Sequence, residues 1–181
     1  MKGKTIFITG GNDGIGLATA QVFAQLGANV AIMGRRAESN QTAKVALESL
    51  GASCIAVTGD VAVEADIMRA LEQTMAAFGR LDYAFNNAGI EQVPKPLPEQ
   101  TEADYYKLFD VNVKGVWLCM KHEIPLMLRS GGGAIVNVSS THAHVPSGVN
   151  VDYGVAKAGI NNLTQALSEE FGPRGVRVNT V

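Results

Sequence analysis

The 181-residue sequence is 46% hydrophobic and 18% charged, with a formal net charge of -2. These proportions fit one domain with a substantial core, and the nearly neutral balance gives no electrostatic reason to expect nucleic acid or a membrane surface as partner. No apolar run is long enough to span a membrane, and the run after Lys4 is too short for a secretory signal. Cys54 and Cys119 lie far apart without a CxxC pattern. The sequence therefore predicts a single cytoplasmic domain over residues 1–181 with reduced core thiols.

Short apolar runs alternate with helical patterns along the whole chain. The predicted strands cover 5–9, 30–33, 53–58, 81–85 and 134–138, and a sixth begins at 176. The predicted helices cover 15–26, 39–50, 63–78 and 101–129, with a kink at Pro125, and a last helix ends before Gly172. Strands that alternate with helices of ten or more residues predict an α/β fold whose parallel sheet is covered on both faces.

A glycine-rich segment, Thr9 to Gly16, lies between the first strand and the first helix. Its glycines at 10, 14 and 16 give the spacing G-x-x-x-G-x-G rather than the G-x-G-x-x-G of the standard dinucleotide fingerprint. Glycines let a backbone approach a pyrophosphate closely, and the N-terminus of the following helix presents free N–H groups. A glycine-rich turn can also be only a turn, but its position between a strand and a helix favours phosphate binding.

The end of the second strand bears on the choice of cofactor. An acidic residue at this place binds a ribose diol, whereas an arginine accommodates a 2′-phosphate. The sequence has Gly34, Arg35 and Arg36 here and no carboxylate before Glu38. The alternative interpretation is two solvated arginines in a loop; Arg35 is the better candidate because it comes first after the strand.

Tyr153 and Lys157 are four residues apart, so a helix places them on one face, one turn apart. A nearby ammonium favours the phenolate and makes a tyrosine a usable general acid or base near neutral pH. The alternative is a tyrosine packed under a lysine stem that reaches to solvent.

The ordered set of motifs resembles the short-chain dehydrogenase/reductase family in its common, shorter form. The matching segments occur in family order and extend over almost the whole chain. They are Thr9 to Gly16, Asp60-Val61, Asn86-Asn87-Ala88-Gly89, Val111-Asn112-Val113, Ser139-Ser140, Tyr153 to Lys157 and Arg177-Val178-Asn179.

The resemblance implies a Rossmann-like, doubly wound parallel sheet of strand order 3-2-1-4-5-6 and hydride exchange between a nicotinamide cofactor and a secondary alcohol or ketone. Tyr153 would be the acid/base, and Lys157 would lower the tyrosine pKa and hold the nicotinamide ribose. Ser140, thirteen residues before the tyrosine, would bind the substrate oxygen in preference to Ser139. Asn112 would hold a water that extends the proton path from Lys157.

The resemblance also implies a set of cofactor-binding residues. Asp60 and Val61 would contact the adenine, and Asn87, Ala88 and Gly89 would form the floor of the adenosine site. NADP(H) is favoured by Arg35 and opposed by Asp13, which stands where NADP(H)-preferring members often have a basic residue, so NAD(H) stays possible. The whole set is Gly10, Asn12, Asp13, Gly14, Ile15, Gly16, Arg35, Arg36, Asp60, Val61, Asn87, Ala88, Gly89, Tyr153 and Lys157.

The sequence and the resemblance also bear on the assembly, metal content and C-terminal extent of the protein. The long helix and the last helix, with Trp117 on the former, could also pack against a second subunit in a homo-oligomer, a dimer or a tetramer. No metal is expected, and His142 and His144 would line the substrate entrance. Family members continue past residue 181, so the last strand and the substrate lid are expected to be missing. A non-catalytic dinucleotide-binding regulator and a truncated, inactive reductase fragment are the alternatives to an active enzyme.

Overall fold

The computed structural model describes residues 1–181, and its centre is a six-stranded sheet. The strands are β1 (Thr5–Thr9), β2 (Asn29–Gly34), β3 (Cys54–Thr58), β4 (Tyr83–Asn86), β5 (Gly133–Asn137) and β6 (Val176–Thr180). Their order is β3-β2-β1-β4-β5-β6, and every neighbouring pair is parallel. The predicted doubly wound sheet and its order are confirmed. The order reverses between β1 and β4, which is where such sheets open a binding crevice at the carboxyl ends of their strands.

Six α-helices connect the strands and cover the two faces of the sheet. They are α1 (Gly14–Gln25), α2 (Ala37–Ser49), α3 (Glu64–Phe78), α4 (Glu102–Phe109), α5 (Gly115–Arg129) and α6 (Val151–Phe171). Buried residues of α1 and α2 pack on one face of the sheet, and those of α3, α5 and α6 pack on the other. None of the helices combines the length and the apolar character that crossing a membrane requires.

Helix α1 leaves exposed three large apolar residues whose spacing predicts it. Ile15, Val22 and Leu26 recur at helical spacing, yet their side chains are 66%, 53% and 50% exposed. The buried residues of α1 are small, Gly16, Ala20 and Ala24, and the larger Leu17 and Phe23 are partly buried against the same core. Small side chains let the helix axis approach the strands closely, so here the periodicity predicts the helix but not its buried face.

The predicted helix 101–129 is divided by one irregular turn. Residues Asp110–Lys114 form a π-helical segment between α4 and α5, whereas Pro125 lies inside α5, which continues to Arg129. The irregular turn therefore precedes the proline by several turns. π-Helical turns often occur at functional sites, and this one contains Asn112.

Strand β4 begins two residues later than the apolar run predicts. Asp82 precedes it, and the Asp82 carboxylate accepts hydrogen bonds from Lys4 Nζ at 2.8 Å, Arg80 Nε at 2.7 Å and the Thr5 amide at 3.0 Å. These bonds hold the N-terminal ends of β1 and β4 together, at the end of the strands opposite the crevice. The other predicted strand and helix bounds agree with the structure to within two residues.

Candidate active site

A cleft of about 480 Å³ opens at the carboxyl ends of β1, β2 and β4. Most of the predicted cofactor residues line it, and Gly16, Tyr153 and Lys157 do not. The predicted residues on its wall are Gly10, Asn12, Asp13, Gly14, Ile15, Arg35, Arg36, Asp60, Val61, Asn87, Ala88 and Gly89; Met33, Gly34, Gly59, Ile90 and Val111 complete it. Most of these additional residues directly adjoin predicted ones in sequence. The ends of the predicted strands were therefore a sequence signal from which they could have been identified.

The glycine-rich turn has no room for side chains at three of its glycines, and at Gly11 the obstacle is Ile32, whose Cγ2 would lie 2.6 Å from an added Cβ. Gly10 has a φ of +65°, which favours glycine, and a Cβ there would lie 2.8 Å from Asn87 Nδ2. A Cβ on Gly16 would overlap the Gly10 carbonyl and lie 2.7 Å from the same Asn87 nitrogen. Gly16 therefore serves by letting α1 pack on the turn, while Gly10 and Gly14 face the cleft.

The N-terminus of α1 opens into this cleft. Asp13 caps the helix by accepting the Gly14 amide at 2.8 Å. The remaining free N–H groups of the first turn and the positive end of the helix dipole suit an anionic pyrophosphate.

Asn40 on α2 is a site residue that the sequence interpretation missed. Its buried side chain donates to the Gly34 carbonyl at 2.8 Å and the Val57 carbonyl at 3.2 Å, and accepts from Asn12 Nδ2 at 2.8 Å. A Cβ on Gly34 would lie 2.6 Å from both Asn12 and Asn40, so Gly34 is packed against this pair and leaves no space. Asn40 lies within a polar stretch of α2, and no sequence signal singles it out.

Arg35 and Arg36 have different surroundings. Arg36 Nη2 lies 3.3 Å from Asp13 Oδ2, and Arg36 Nε donates to Ser39 Oγ at 3.1 Å. Arg35 makes no hydrogen bond or ion pair with any side chain, is exposed, and lines both the main cleft and a neighbouring cavity of about 180 Å³. Arg35 is therefore the arginine with a free guanidinium beside the end of β2.

The floor of the cleft is fixed to β1. Thr9 Oγ1 accepts hydrogen bonds from the amides of Asn87 and Ala88, both at 3.1 Å. Asn87 Nδ2 donates to the carbonyls of Thr9 and Gly10, both at 3.2 Å. The segment after β4 is thus held directly beneath the glycine-rich turn.

On the adenine side of the predicted site, Asp60 and Val61 follow β3. Asp60 Oδ1 accepts from the Ala62 amide at 2.9 Å, and Val61 is buried against Gly115 at the start of α5. A Cβ on Gly115 would lie 2.9 Å from Val61 Cγ2. The first residue of α5 is therefore small because Val61 packs against it.

Tyr153 and Lys157 lie on α6, one turn apart, as predicted. Lys157 is 4% exposed, its Nζ donates to the Val138 carbonyl at 2.7 Å, and the same nitrogen is 5.6 Å from the centre of the Tyr153 ring. Burial lowers the pKa of Lys157 from 10.5 to about 8, because removal from water disfavours the charged ammonium. Lys157 reaches the cleft at Gly89, where an added Cβ would lie 3.8 Å from its Nζ.

The two serines after β5 have different partners. Ser139 Oγ donates to the Lys157 carbonyl at 3.2 Å, so it ties the strand end to α6. Ser140 caps a short 3₁₀ turn, Thr141–Ala143, and its Oγ accepts only from the His142 amide at 3.2 Å. The Ser140 hydroxyl hydrogen is therefore free to donate elsewhere.

Asn112 is fully buried in the π-helical segment, and its amide is paired with the main chain of Ile90. Asn112 Oδ1 accepts from Ile90 N at 2.9 Å, and Nδ2 donates to Ile90 O at 2.8 Å. A Cβ on Gly89 would lie 3.2 Å from Asn112 Oδ1. Asn112, Gly89 and Lys157 thus converge at the end of the cleft.

Two further side chains lie beside Tyr153. The His142 ring meets the Tyr153 ring edge to face, with centres 5.9 Å apart. Gln92 Oε1 accepts from the Tyr153 amide at 3.1 Å, and its Nε2 is buried without a partner. Gln92 lies in the proline-rich loop and was missed because only the fold brings that loop to α6. No cluster of three potential metal ligands is present.

These features fit a dinucleotide that extends from Arg35 across the N-terminus of α1 to Gly89 and Lys157. The turn leaves no space at Gly10 and Gly16, the helix presents free N–H groups, and a free arginine lies near one end. At the other end stand a phenol, a buried amine and a free serine hydroxyl. Such a set can bind an oxygen and move one proton to or from it.

Comparison with known proteins agrees with this geometry. The sequence model of the family described as short chain dehydrogenase matches residues 4–181. A 2,5-dichloro-2,5-cyclohexadiene-1,4-diol dehydrogenase of Sphingobium indicum is 38% identical over 182 residues, which are 100% of this chain and 72% of that protein. A cis-4-hydroxycyclohexanecarboxylate dehydrogenase of Sinomonas cyclohexanicum is 38% identical over 178 residues, 98% of this chain and 71% of its own length.

A solved structure shows the same fold with a cofactor bound. The 3-ketoacyl-(acyl-carrier-protein) reductase of Brucella melitensis, complexed with NADH, superposes with a TM-score of 0.93 at 32% identity, covering 99% of this chain and 74% of that one. The chain therefore belongs to the short-chain dehydrogenase/reductase family of nicotinamide-dinucleotide-dependent oxidoreductases.

Proposed function

We propose that this protein transfers hydride between a nicotinamide dinucleotide and a secondary alcohol or ketone, with Tyr153 as the acid/base. The observation that carries the proposal is the buried Lys157 ammonium group, held by Val138 beside the Tyr153 ring where the cleft ends. The dinucleotide, when bound, supplies or accepts the hydride.

Tyr153 and Ser140 have complementary tasks at the substrate oxygen. Alcohol oxidation requires the hydroxyl proton to leave as the hydride departs, and ketone reduction requires that proton to return. The Tyr153 hydroxyl can serve both directions, and the free Ser140 hydroxyl donates a hydrogen bond that orients the same oxygen. Lys157 stabilises the phenolate by its positive charge.

Asn112 shapes the end of the cleft in this proposal. Its two hydrogen bonds with Ile90 hold the segment after β4 close to Lys157. Because both ends of its amide are engaged, we assign Asn112 the task of positioning Gly89 and Ile90. Its holding of a proton-relay water stays a prediction.

We further propose a preference for NADP(H), with NAD(H) as the weaker alternative. Arg35 is unpaired beside the end of β2 and can make charge-assisted hydrogen bonds to a 2′-phosphate. Asp13, the opposing carboxylate, is already partnered by Arg36. No acidic side chain stands at Gly34 to select a free ribose diol.

For the substrate we propose a ring that carries a secondary hydroxyl or keto group. Two relatives of 38% identity are named for such substrates, a cyclohexadiene diol and a hydroxycyclohexanecarboxylate. In this chain the space beside Tyr153 is bordered by His142 and Gln92, which can contact a flat or ring-shaped substrate.

The test is a panel of cyclic and open-chain alcohols and ketones assayed with both cofactors. We expect turnover of ring substrates, observed as a change in nicotinamide absorbance, and its loss in Tyr153→Phe. Cofactor binding without turnover of any panel member would contradict the catalytic proposal.

We also propose that the protein forms a homo-oligomer through the outer faces of α5 and α6. Trp117 on α5 and Val155 on α6 are 46% and 56% exposed, and both helices cover the same face of the sheet. Light scattering after gel filtration should give a mass above that of one 19.1 kDa chain, and Trp117→Lys should reduce it.

A cytoplasmic location is the last part of the proposal. Both cysteines are free and buried, as is common in proteins of reducing compartments. Cell fractionation with an antibody to the protein tests this location.

A further inference from the structure

Glu123 is a buried acid that the proposed chemistry does not use. It lies on α5, is 0% exposed, and forms no ion pair. Cys119 and Met127, one turn to either side, are buried as well. A carboxylate in such a position is strongly disfavoured unless a partner compensates its charge.

The partner of Glu123 is Asn86, the last residue of β4. Asn86 Nδ2 donates to Glu123 Oε2 at 3.1 Å and to Asn137 Oδ1 at 3.0 Å. The other oxygen of each side chain, Glu123 Oε1 and Asn86 Oδ1, is buried and has no hydrogen-bond partner. Each would be an acceptor without a donor if Glu123 were ionised.

One proton satisfies both atoms. A carboxylic acid and a primary amide pair through two parallel hydrogen bonds, amide N–H to acid oxygen and acid O–H to amide oxygen. The first of these bonds is present, and the two unpaired oxygens belong to the same two groups. We propose that Glu123 is a neutral carboxylic acid that donates its proton to Asn86 Oδ1 and thereby acts as a positioning residue for the cofactor site.

Asn86 is connected directly to the part of the cleft that would bind the cofactor. Asn86 is followed directly by Asn87, Ala88 and Gly89, which form the cleft floor. The position of the Asn86 side chain therefore bears on the point at which the chain leaves β4.

The connection on the catalytic side runs through Asn137, the last residue of β5. Asn137 accepts from Asn86 and donates to Thr164 Oγ1 on α6 at 2.9 Å. Val138, the next residue, accepts Lys157 Nζ. The Glu123–Asn86–Asn137 network thus joins the strand ends that carry the cofactor floor and the support of Lys157.

No charged group opposes or compensates the state of Glu123. On its own helix, Lys121 and His122 are paired with Glu64. The Cys119 thiol is buried, and burial together with the charge of an ionised Glu123 raises its pKa. β5 carries none, Lys157 on α6 is bound to Val138, Arg69 on α3 is paired with Asp66, and Arg177 on β6 is exposed. Burial, against a smaller opposing effect of the Asn86 hydrogen bond, raises the pKa of Glu123 from 4.5 to about 8.

Ionisation of Glu123 in mildly alkaline solution removes the proton that it donates to Asn86 Oδ1. Two acceptor oxygens, one from each side chain, then face each other. The strand ends then lose one buried hydrogen bond, which corresponds to about a fivefold change in an equilibrium constant. We expect cofactor affinity to fall by about this factor as the pH rises through the Glu123 transition. Only this binding readout depends on the proposed function; the protonation state of Glu123 does not.

Infrared spectroscopy of the cofactor-free protein tests the protonation directly. At neutral pH, wild type should show a carboxylic-acid C=O band that is absent from Glu123→Gln and that disappears as the pH rises through about 8. Glu72→Gln, an exposed carboxylate on α3, is the matched control and should retain the band. If wild type shows no such band at neutral pH, the proposal is wrong.

Fluorescence titration with reduced nicotinamide dinucleotides tests the positioning role. Glu123→Gln keeps both hydrogen bonds with Asn86 but has no proton that titrates. Between neutral and alkaline pH, the decrease in its cofactor affinity should therefore be about fivefold smaller than the decrease in wild type. Glu72→Gln should follow wild type. Equal decreases in cofactor affinity at alkaline pH in Glu123→Gln and wild type would overturn the positioning role. Because Lys157 titrates in both proteins, its effect cancels in the comparison.

The two measurements remain decisive if one component fails. If Glu123→Gln does not fold, the pH titration of the wild-type band alone decides the protonation state. If the protein binds neither cofactor, the proposed function fails, whereas the infrared band still supports or refutes the neutral acid.

Discussion

Arg36 is bound to Asp13, with Arg36 Nη2 3.3 Å from Asp13 Oδ2, and its neighbour Arg35 is not bound to any side chain. Asp13 also caps α1 through the Gly14 amide. The Asp13–Arg36 pair is solvent-exposed and contributes little to stability. The effect of this pair is local. The Asp13 carboxylate, which would repel a 2′-phosphate, has the Arg36 guanidinium beside it, and Arg35 remains free to bind the phosphate.

Arg35→Ala should reduce NADP(H) affinity about tenfold, which corresponds to about 1.4 kcal/mol, and should leave NAD(H) affinity nearly unchanged. The reason is that a guanidinium hydrogen-bonds a 2′-phosphate and has no equivalent partner on a free ribose. Fluorescence titration with NADPH and NADH at physiological salt measures both affinities.

Arg174→Ala is the control for the Arg35 prediction. Arg174 is exposed near the C-terminal end of α6, stacks on Phe171, and does not line the cleft. Its removal should affect neither cofactor. Tighter binding of NADH than NADPH by wild type would show that Arg35 does not outweigh Asp13.

Tyr153→Phe should lower kcat at least about 100-fold and leave the cofactor Kd within about twofold of wild type. The ring, its contact with His142 and the Gln92 bond to the Tyr153 amide are all preserved, since only the hydroxyl is lost. Steady-state kinetics on an active ring substrate, together with NADPH titration, separates the two quantities. A kcat equal to that of wild type would exclude Tyr153 as the acid/base.

Much of the fold could be predicted because local signals agree with the global structure. The β-branched run Thr5–Thr9, the glycine-rich turn and the following helix specify one strand-turn-helix unit, and alternation of such units specifies a parallel sheet. The spacing of Tyr153 and Lys157 likewise sufficed to place them one turn apart on α6.

The parts that could not be predicted depend on contacts between distant segments. Ile15, Val22 and Leu26 recur at helical spacing but lie on the exposed side of α1, because the side closest to the sheet is made of small residues. Asn40 and Gln92 acquire their partners only when α2 and the proline-rich loop reach other elements. Glu123 did have a sequence signal: it stands four residues after Cys119 and four before Met127, on a helix face that is otherwise apolar.

The difference in unfolding free energy between wild type and Lys157→Met should depend on pH in a defined window. Burial lowers the Lys157 pKa to about 8 from 10.5, so between these values the unfolded chain binds a proton that the folded chain does not. The contribution of Lys157 to stability is therefore fully present above pH 10.5 and is lost as pH falls through about 8.

Urea unfolding of both proteins at a series of pH values measures this dependence. The stability of wild type relative to Lys157→Met should rise with pH across the window, by at most about 1.4 kcal/mol per pH unit. Comparing the two proteins cancels the titration of other groups. A difference that is flat across the window would show that Lys157 is not desolvated in the folded protein.

Asn40→Ala should destabilise the protein by about 2–3 kcal/mol, because it removes the side-chain donor to the carbonyls of Gly34 and Val57 and the acceptor of the Asn12 amide. Of the two carbonyls, that of Gly34 keeps the hydrogen bond from the Gly59 amide. Since Gly34 and Asn12 line the cleft, the affinity for NADPH should fall as well. Gln41→Ala is the matched control: Gln41 is the next residue on α2, is exposed and makes no side-chain hydrogen bond, so its removal should change stability by no more than about 0.5 kcal/mol. Urea unfolding and NADPH titration of the three proteins measure both effects. Equal stabilities of Asn40→Ala and Gln41→Ala would mean that water replaces the Asn40 amide and that α2 does not hold the cofactor cleft.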